Sequence, residues 1–206
     1  MASTYLSRTQ GGSATLRTKF TLSVWVKFNE VPAGGGSDRW IFGEYENGSN
    51  HAYLYLRNSS ELGLYETDSG STKMSKITTR LLRDTNAWYH IQVSVDTTDG
   101  TAEDRLKLYI NGERITSWST NTNYTQNYTT RFNDNSRTMY IGGSPTQTKY
   151  GGLMSHLHFC DGLALANSVF GSTDSTTGEW SIITSPSFTP GTNGFTILKD
   201  GNTITD

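Results

Sequence analysis

Apolar residues in this chain recur at every second position, in short runs broken by polar turns. Residues 20–28 alternate Phe20, Leu22, Val24, Val26 and Phe28 against Thr21, Ser23, Trp25 and Lys27. A period of two belongs to a strand with one buried face. The same reading predicts strands over 40–45, 52–57, 62–65, 88–96, 139–142, 153–160 and 194–198. Within 52–57, Ala52, Leu54 and Leu56 face one way and Tyr53, Tyr55 and Arg57 the other. Within 88–96, Tyr89, Ile91, Val93 and Val95 point inward, with His90, Gln92 and Ser94 outward. The clearest hairpin is DRLKLYINGERI, residues 104–115. Leu106, Leu108 and Ile110 alternate up to Asn111-Gly112, a pair suited to the two positive-φ positions of a tight turn, and a return strand begins at Glu113. Asn58-Ser59-Ser60 predicts a further turn. Helix is predicted only as one turn around Ala166–Phe170, and no 20–50-residue repeat is visible.

About ten short strands carry more apolar face than one flat sheet can hide. Two antiparallel sheets packed face to face hide it, so the predicted fold is an all-β jelly-roll sandwich with almost no helix. Leu106, Leu108 and Ile110 are expected to meet Val24, Val26, Val93 and Val95 across its interior. A length of 206 residues suits one domain over 1–206, and the polar ending GNTITD fits the first part of a longer protein. Aromatic residues at 12% and a net charge of −2 argue for a packed core rather than disorder. That charge makes no electrostatic case for nucleic acid or acidic membranes. The single cysteine, Cys160, excludes an internal disulfide and a cysteine-based zinc site; it reads as a partly buried strand residue. The opening MASTYLSRTQGG has no apolar h-region, and no run nears the roughly 18 apolar residues of a membrane span. The expectation is synthesis in a reducing cytoplasm without membrane insertion. Four Asn-x-Ser/Thr triplets, at Asn47, Asn58, Asn123 and Asn127, reflect the abundance of these residues.

Several stretches also carry a resemblance. FTLSVWVKF, AWYHIQVSVDTTDGTAEDRLKLYINGERI, and YIGG followed by GGLMSHLHFCDG resemble the concanavalin A-like jelly roll of laminin-G-like domains. YLSRT at Tyr5–Thr9, the segment Phe159–Gly171, TGEW at Thr177–Trp180 and GTNGF at Gly191–Phe195 are similar to a subset common in marine phage genomes. Gly151-Gly152 stands where that subset often carries Asp-Gly. The resemblance implies the sandwich fold and a lectin-like or fibre-like virion protein.

Catalytic constellations are sparse. Glucan-cleaving relatives of this fold place Glu-x-Asp-x-Glu on one strand, so that alternation aims three carboxylates into a cleft. Glu66-Thr67-Asp68 lacks the last glutamate, and Glu44-Tyr45-Glu46 also fails. Neither a Gly-x-Ser-x-Gly elbow nor His-Glu-x-x-His occurs, and Gly34-Gly35-Gly36 reads as a flexible loop. No enzyme activity and no cofactor are therefore expected. Asp96, Asp99, Glu103 and Asp104 crowd one loop and are the weak candidates for calcium, with a solvated hairpin loop as the plainer reading. His156 and His158 at i, i+2 could pinch a metal but lack a third ligand, and are expected to face solvent.

Aromatic residues in polar surroundings remain. Rings stack on the apolar faces of sugars, while amides bond hydroxyls. Residues 117–135, SWSTNTNYTQNYTTRFNDN, offer Trp118, Tyr124 and Tyr128 beside Asn123 and Gln126; Tyr53 and Tyr55 on a sheet face are the second candidate. The plainer reading is that the loop rings pin the loop to the sheet. The expected function is a non-catalytic virion protein, on capsid or tail, whose lectin-like domain attaches to host surface polysaccharide. Its partners would be that polysaccharide or other virion proteins, and it would act as a homo-oligomer or in many copies on a particle. The alternatives are an architectural virion module without ligand, or a carbohydrate-active enzyme.

Overall fold

The computed structural model describes residues 4–31, 37–135 and 137–200. Among the described residues there are fifteen strands: β1 (Leu6–Thr9), β2 (Lys19–Phe28), β3 (Arg39–Asn47), β4 (Asn50–Leu56), β5 (Glu61–Asp68), β6 (Ser71–Leu81), β7 (Tyr89–Asp96), β8 (Leu106–Ile110), β9 (Glu113–Arg114), β10 (Trp118–Thr122), β11 (Thr138–Ile141), β12 (Gly152–Asp161), β13 (Gly171–Thr173), β14 (Trp180–Ile182) and β15 (Phe195–Ile197). Single turns of 3-10 helix occur at Ala102–Asp104 and Asn167–Val169, the second where a helical turn is predicted. A seven-stranded sheet runs β1-β11-β3-β4-β5-β6-β10 and a six-stranded sheet β15-β12-β2-β7-β8-β9, every pair antiparallel. The two-sheet, nearly all-β architecture is the one predicted.

Alternation positions the core. Phe42, Leu54, Leu56, Leu62, Leu64 and Met74 of the first sheet meet Leu22, Val24, Val26, Ile91, Val93 and Leu108 of the second, all buried. One expectation is corrected here: Leu106, Leu108 and Ile110 do not lie across the interior from the valines. They pair beside Val95, Val93 and Ile91 on the adjacent strand, in the same sheet. Sequence alternation reports the face a residue takes but not its sheet.

The hairpin turn forms as read, with Asn111 at φ 50° and Gly112 at φ 80°. Five strands escape the predicted pattern, β1, β6, β10, β13 and β14, and β1, β6 and β10 among them are polar. β6, STKMSKITTRL, is the longest strand of the structure, held by ladders to β5 and β10 rather than by an apolar run. The outer face of the six-stranded sheet is also not solvated as expected. His90 and Gln92 are wholly buried because residues 163–183 fold over them. Gln92 Nε2 donates to Leu165 O at 3.0 Å, and Trp180 Nε1 donates to His90 Nδ1 at 2.9 Å. The pair His156 and His158 is corrected too. A bulge lies between Ser155 and His158; the two rings stay 6.4 Å apart, but His158 is buried against Phe170 and His156 takes a left-handed φ of 48°. Cys160 is buried; its thiol donates to Thr189 O, and burial pushes it up to about 11. The Gly34–Gly36 run lies outside the described residues. β1 and β15 do sit together: Arg8 Nη1 donates to Asn193 O at 3.3 Å and its guanidinium lies 5.0 Å over Phe195.

Candidate functional site

The long polar loop comes first, because the sequence nominates it. Its opening residues form β10, where Trp118 pairs with Thr78, a residue of the inner face. Trp118 therefore packs inward, half-buried, with Lys76 Nζ 4.8 Å over its ring. Asn123 Nδ2 donates to Glu103 Oε1 at 2.7 Å and Gln126 Nε2 to Thr98 O at 3.2 Å. Tyr124 is 1% exposed, its hydroxyl donates to Glu66 Oε2 at 2.6 Å, and half-buried Tyr128 stacks on it at 5.4 Å. Burial holds the Tyr124 hydroxyl well above its ordinary pKa. Tyr124 is a core residue, which corrects its nomination as a surface glycan contact. The other four nominated loop residues spend their rings and amides on internal contacts.

Beneath that loop lies a cluster of four carboxylates around one arginine. Glu44 on β3 and Glu66 on β5 both pair with Ala52 of β4, so all three point into the sandwich. Arg131 enters between them: its Nε donates to Glu44 Oε1 and its backbone N–H to Glu66 Oε1 at 2.9 Å. Its remaining nitrogens donate to Glu46 at 2.9 Å and Asp68 at 3.1 Å, two residues further along the same strands. Burial pushes Glu66 up to about 7 against the pull of the Tyr124, Arg131 and Tyr128 donors. Glu44 also rises to about 7 by burial, with Arg131 opposing. The four carboxylates clasp the loop through Arg131.

The calcium candidates disperse. Asp96 pairs with Lys19 at 2.7 Å, Asp99 accepts from Thr101 N, Glu103 holds Lys76 at 3.1 Å, and Asp104 pairs with Arg114 at 2.5 Å. Among the described residues no group of three or more His, Cys, Asp or Glu converges on a metal position.

What stays open is the outer face of the seven-stranded sheet. One row across it reads Tyr140, Gly43, Tyr53, Tyr65; the next reads Tyr45, His51, Thr67; a third reads Trp40, Tyr55, Gly63. Tyr53 lies flat on Trp40, centroids 4.1 Å apart and planes 12° apart, and is 4.7 Å from Tyr55 and 5.8 Å from Tyr65. His51 bridges Tyr45 at 5.9 Å and Tyr65 at 5.6 Å. Trp40 and Tyr55 are buried as a lower layer, which corrects the nomination of Tyr55 as a glycan contact, while Tyr45, His51, Tyr53, Tyr65 and Tyr140 are partly exposed above. The glycines shape this floor: a side chain at Gly63 would overlap the Tyr55 ring, and one at Gly43 would overlap Ala52 O and Tyr53. Polar handles sit among the rings. His51 Nδ1 donates to Asn47 O at 3.1 Å, which leaves Nε2 as an acceptor, and burial lowers this imidazole below its ordinary range. The Tyr65 hydroxyl and Thr72 Oγ1 share a hydrogen bond of 3.0 Å. Of these residues Tyr53 and Tyr55 are legible from alternation. Trp40 is not, because a bulge between Trp40 and Phe42 turns it to the outer face.

A family model matches residues 2–170. The chain belongs to the concanavalin A-like lectin/glucanases superfamily. No curated protein sequence matches it. Three solved structures show how the superfamily fold is shared. A native heptameric SAP-like pentraxin from Limulus polyphemus is 17% identical, with 95% of this chain and 89% of that chain covered and a TM-score of 0.54. Domain 4 of a GH43 extracellular arabinanase from Geobacillus stearothermophilus, in complex with arabinotriose, is 18% identical over 77% and 67%, at 0.50. The CBM40 of a Ruminococcus gnavus IT-sialidase is 15% identical over 80% and 92%, also at 0.50. At these identities the likeness is one of fold.

Proposed function

We propose that this chain is a non-catalytic carbohydrate-binding module that grips polysaccharide on the outer face of its seven-stranded sheet. We place it on a virion, in many copies, for attachment to host surface glycans. The observation that carries the binding reading is the floor of five partly exposed rings on a rigid sheet, with hydroxyl and imidazole groups between them. Ring faces stack on the C–H faces of sugars without rearrangement of the sheet. Membership of the superfamily and the arabinotriose complex of the arabinanase domain agree with it. The absence of catalysis rests on Arg131, which ties up the carboxylates that general acid–base chemistry would need. The virion setting rests on the motif resemblance at Tyr5–Thr9 and Phe159–Gly171. Shallow single-site contacts fit multi-copy display, where avidity adds a factor of about 10²–10⁴.

Affinity electrophoresis in laminarin, agarose, carrageenan and alginate gels tests the reading. At least one polysaccharide should retard the protein. Tyr45→Ala with Tyr65→Ala should weaken that retardation by roughly tenfold or more, as two stacking contacts imply, with the melting temperature held. Undiminished retardation would place the glycan site away from this face, and no retardation in any gel favours an architectural module. Release of reducing ends from any of these glycans would restore the enzyme reading.

A further inference from the structure

A second aromatic pocket opens on the other side of the molecule, over the six-stranded sheet. Trp25, Trp88, Ser155, His156 and Ile182 line a cavity of about 260 Å³. Trp25 on β2 pairs with Ser155 on β12, while Ile182 comes from β14, beyond the residues the family model matches. The ring of Trp25 is held from behind. It stacks on His90 at 5.1 Å, and His90 stacks on Trp180 at 6.0 Å. Trp180 Nε1–H donates to His90 Nδ1, so the His90 proton is on Nε2 and donates to Ser23 Oγ at 2.8 Å. Both nitrogens of the middle ring are thus used, and the wall of the pocket is fixed before any ligand arrives. On the opposite side His156 is a non-glycine residue at φ 48°, set by the bulge in β12, with Ser155 Oγ 2.6 Å from its Nδ1. A left-handed histidine is strained, and such strain gathers where a side chain must be aimed.

We infer that this pocket is a binding site for a single neutral sugar ring, separate from the sheet-face site. The pocket's volume of about 260 Å³, just under the roughly 300–1,000 Å³ of small-molecule pockets, suits a single ring. Its lining decides the chemistry. Two indoles present stacking faces, Ser155 and His156 supply two polar groups, and among the described residues no lining residue is an acid, a lysine or an arginine. Lys199 lies near enough to His156 to act on it electrostatically, and Asp200 offsets it. A carboxylated sugar would leave its charge among apolar walls.

The test follows the five indole N–H signals of the full chain by NMR, with methyl glycosides of glucose, galactose and N-acetylglucosamine as neutral probes. Methyl glucuronide is the acidic arm and p-cresol the apolar one. A neutral glycoside should shift the Trp25 and Trp88 signals saturably. Trp88→Ala should weaken this about tenfold, and since Trp88 is 38% exposed the fold should survive. His156→Gly should also lose the shift while keeping the melting temperature, because glycine takes that φ without strain. Tyr45→Ala with Tyr65→Ala should leave the shift unchanged, which separates this site from the sheet face. No shift with any neutral probe, a response to p-cresol or the glucuronide alone, or a shift indifferent to Trp88→Ala would overturn the inference.

Discussion

Glu66 has three donors around one carboxylate, two tyrosine hydroxyls and the Arg131 backbone N–H, with Glu44 and the Arg131 side chain alongside. Burial outweighs those donors and pushes it up to about 7, against 4.5 for a free glutamate. Between the two values the folded chain holds a proton that the unfolded chain has lost. Its contribution to stability is therefore full below about pH 4.5 and disappears as pH rises through about 7. Buried His90 and His158 act in the opposite sense. Burial lowers them to about 3 and about 4, so their contribution is present above 6.5 and is lost as pH falls. The total profile thus mixes signs, and the informative quantity is a difference. Glu66→Gln keeps the shape and the Tyr124 contact but cannot titrate. The stability of the parent minus that of Glu66→Gln, from urea midpoints at pH 4.5 to 7.5, should fall as pH rises. A pH-independent difference would place the proton elsewhere.

At the scale of elements, the segment 117–135 carries the main lesson. Read as sequence it is a polar loop rich in rings, which equally suits a binding loop or a segment pinned to the core. The structure decides for pinning, because β10 pairs with β6 in a register that turns Trp118 inward, and Arg131 reaches the Glu44–Glu66 pocket. The acidic partners lie 63 to 87 residues away in sequence, so no local pattern announces them. Arg131 Nε donates to Glu44 Oε1, while the buried Glu44 Oε2 finds no hydrogen-bond partner among the described residues. Arg131→Met should consequently cost about 3–5 kcal/mol, the loss expected when one member of a buried ion pair is removed. Adding Glu44→Leu should recover much of it, since a buried pair replaced by apolar residues is often near neutral. Urea unfolding of the single and double variants decides this; an unchanged loss in the double would mean that Arg131 acts through Glu46 and Asp68 instead.

At the scale of the whole molecule, the C-terminal stretch closes the six-stranded sheet. Asp161 Oδ2 accepts from Thr15 N at 2.7 Å and Asn193 N at 3.2 Å, and Phe195 covers Phe159 at 5.9 Å. Deleting residues 191–206 should lower stability by several kcal/mol, as burial at about 25 cal/mol per Å² implies. An unchanged melting temperature would contradict the placement. Period-two alternation in β2, β4, β7 and β8 was enough to assign strands, faces and a two-sheet sandwich, because those depend on which residues must leave water. The Asn111-Gly112 turn was equally legible, because positive φ is a local demand. Tertiary structure alone decided which strands are neighbours, that polar β6 is a strand at all, and that His90 and Gln92 lie under a lid. It also decided that the loop rings face inward while Trp40 joins Tyr53 on the open face. Each of these depends on partners distant in sequence, or on a single bulge that shifts every following side chain to the other face, and neither leaves a mark on the local pattern of apolar and polar residues.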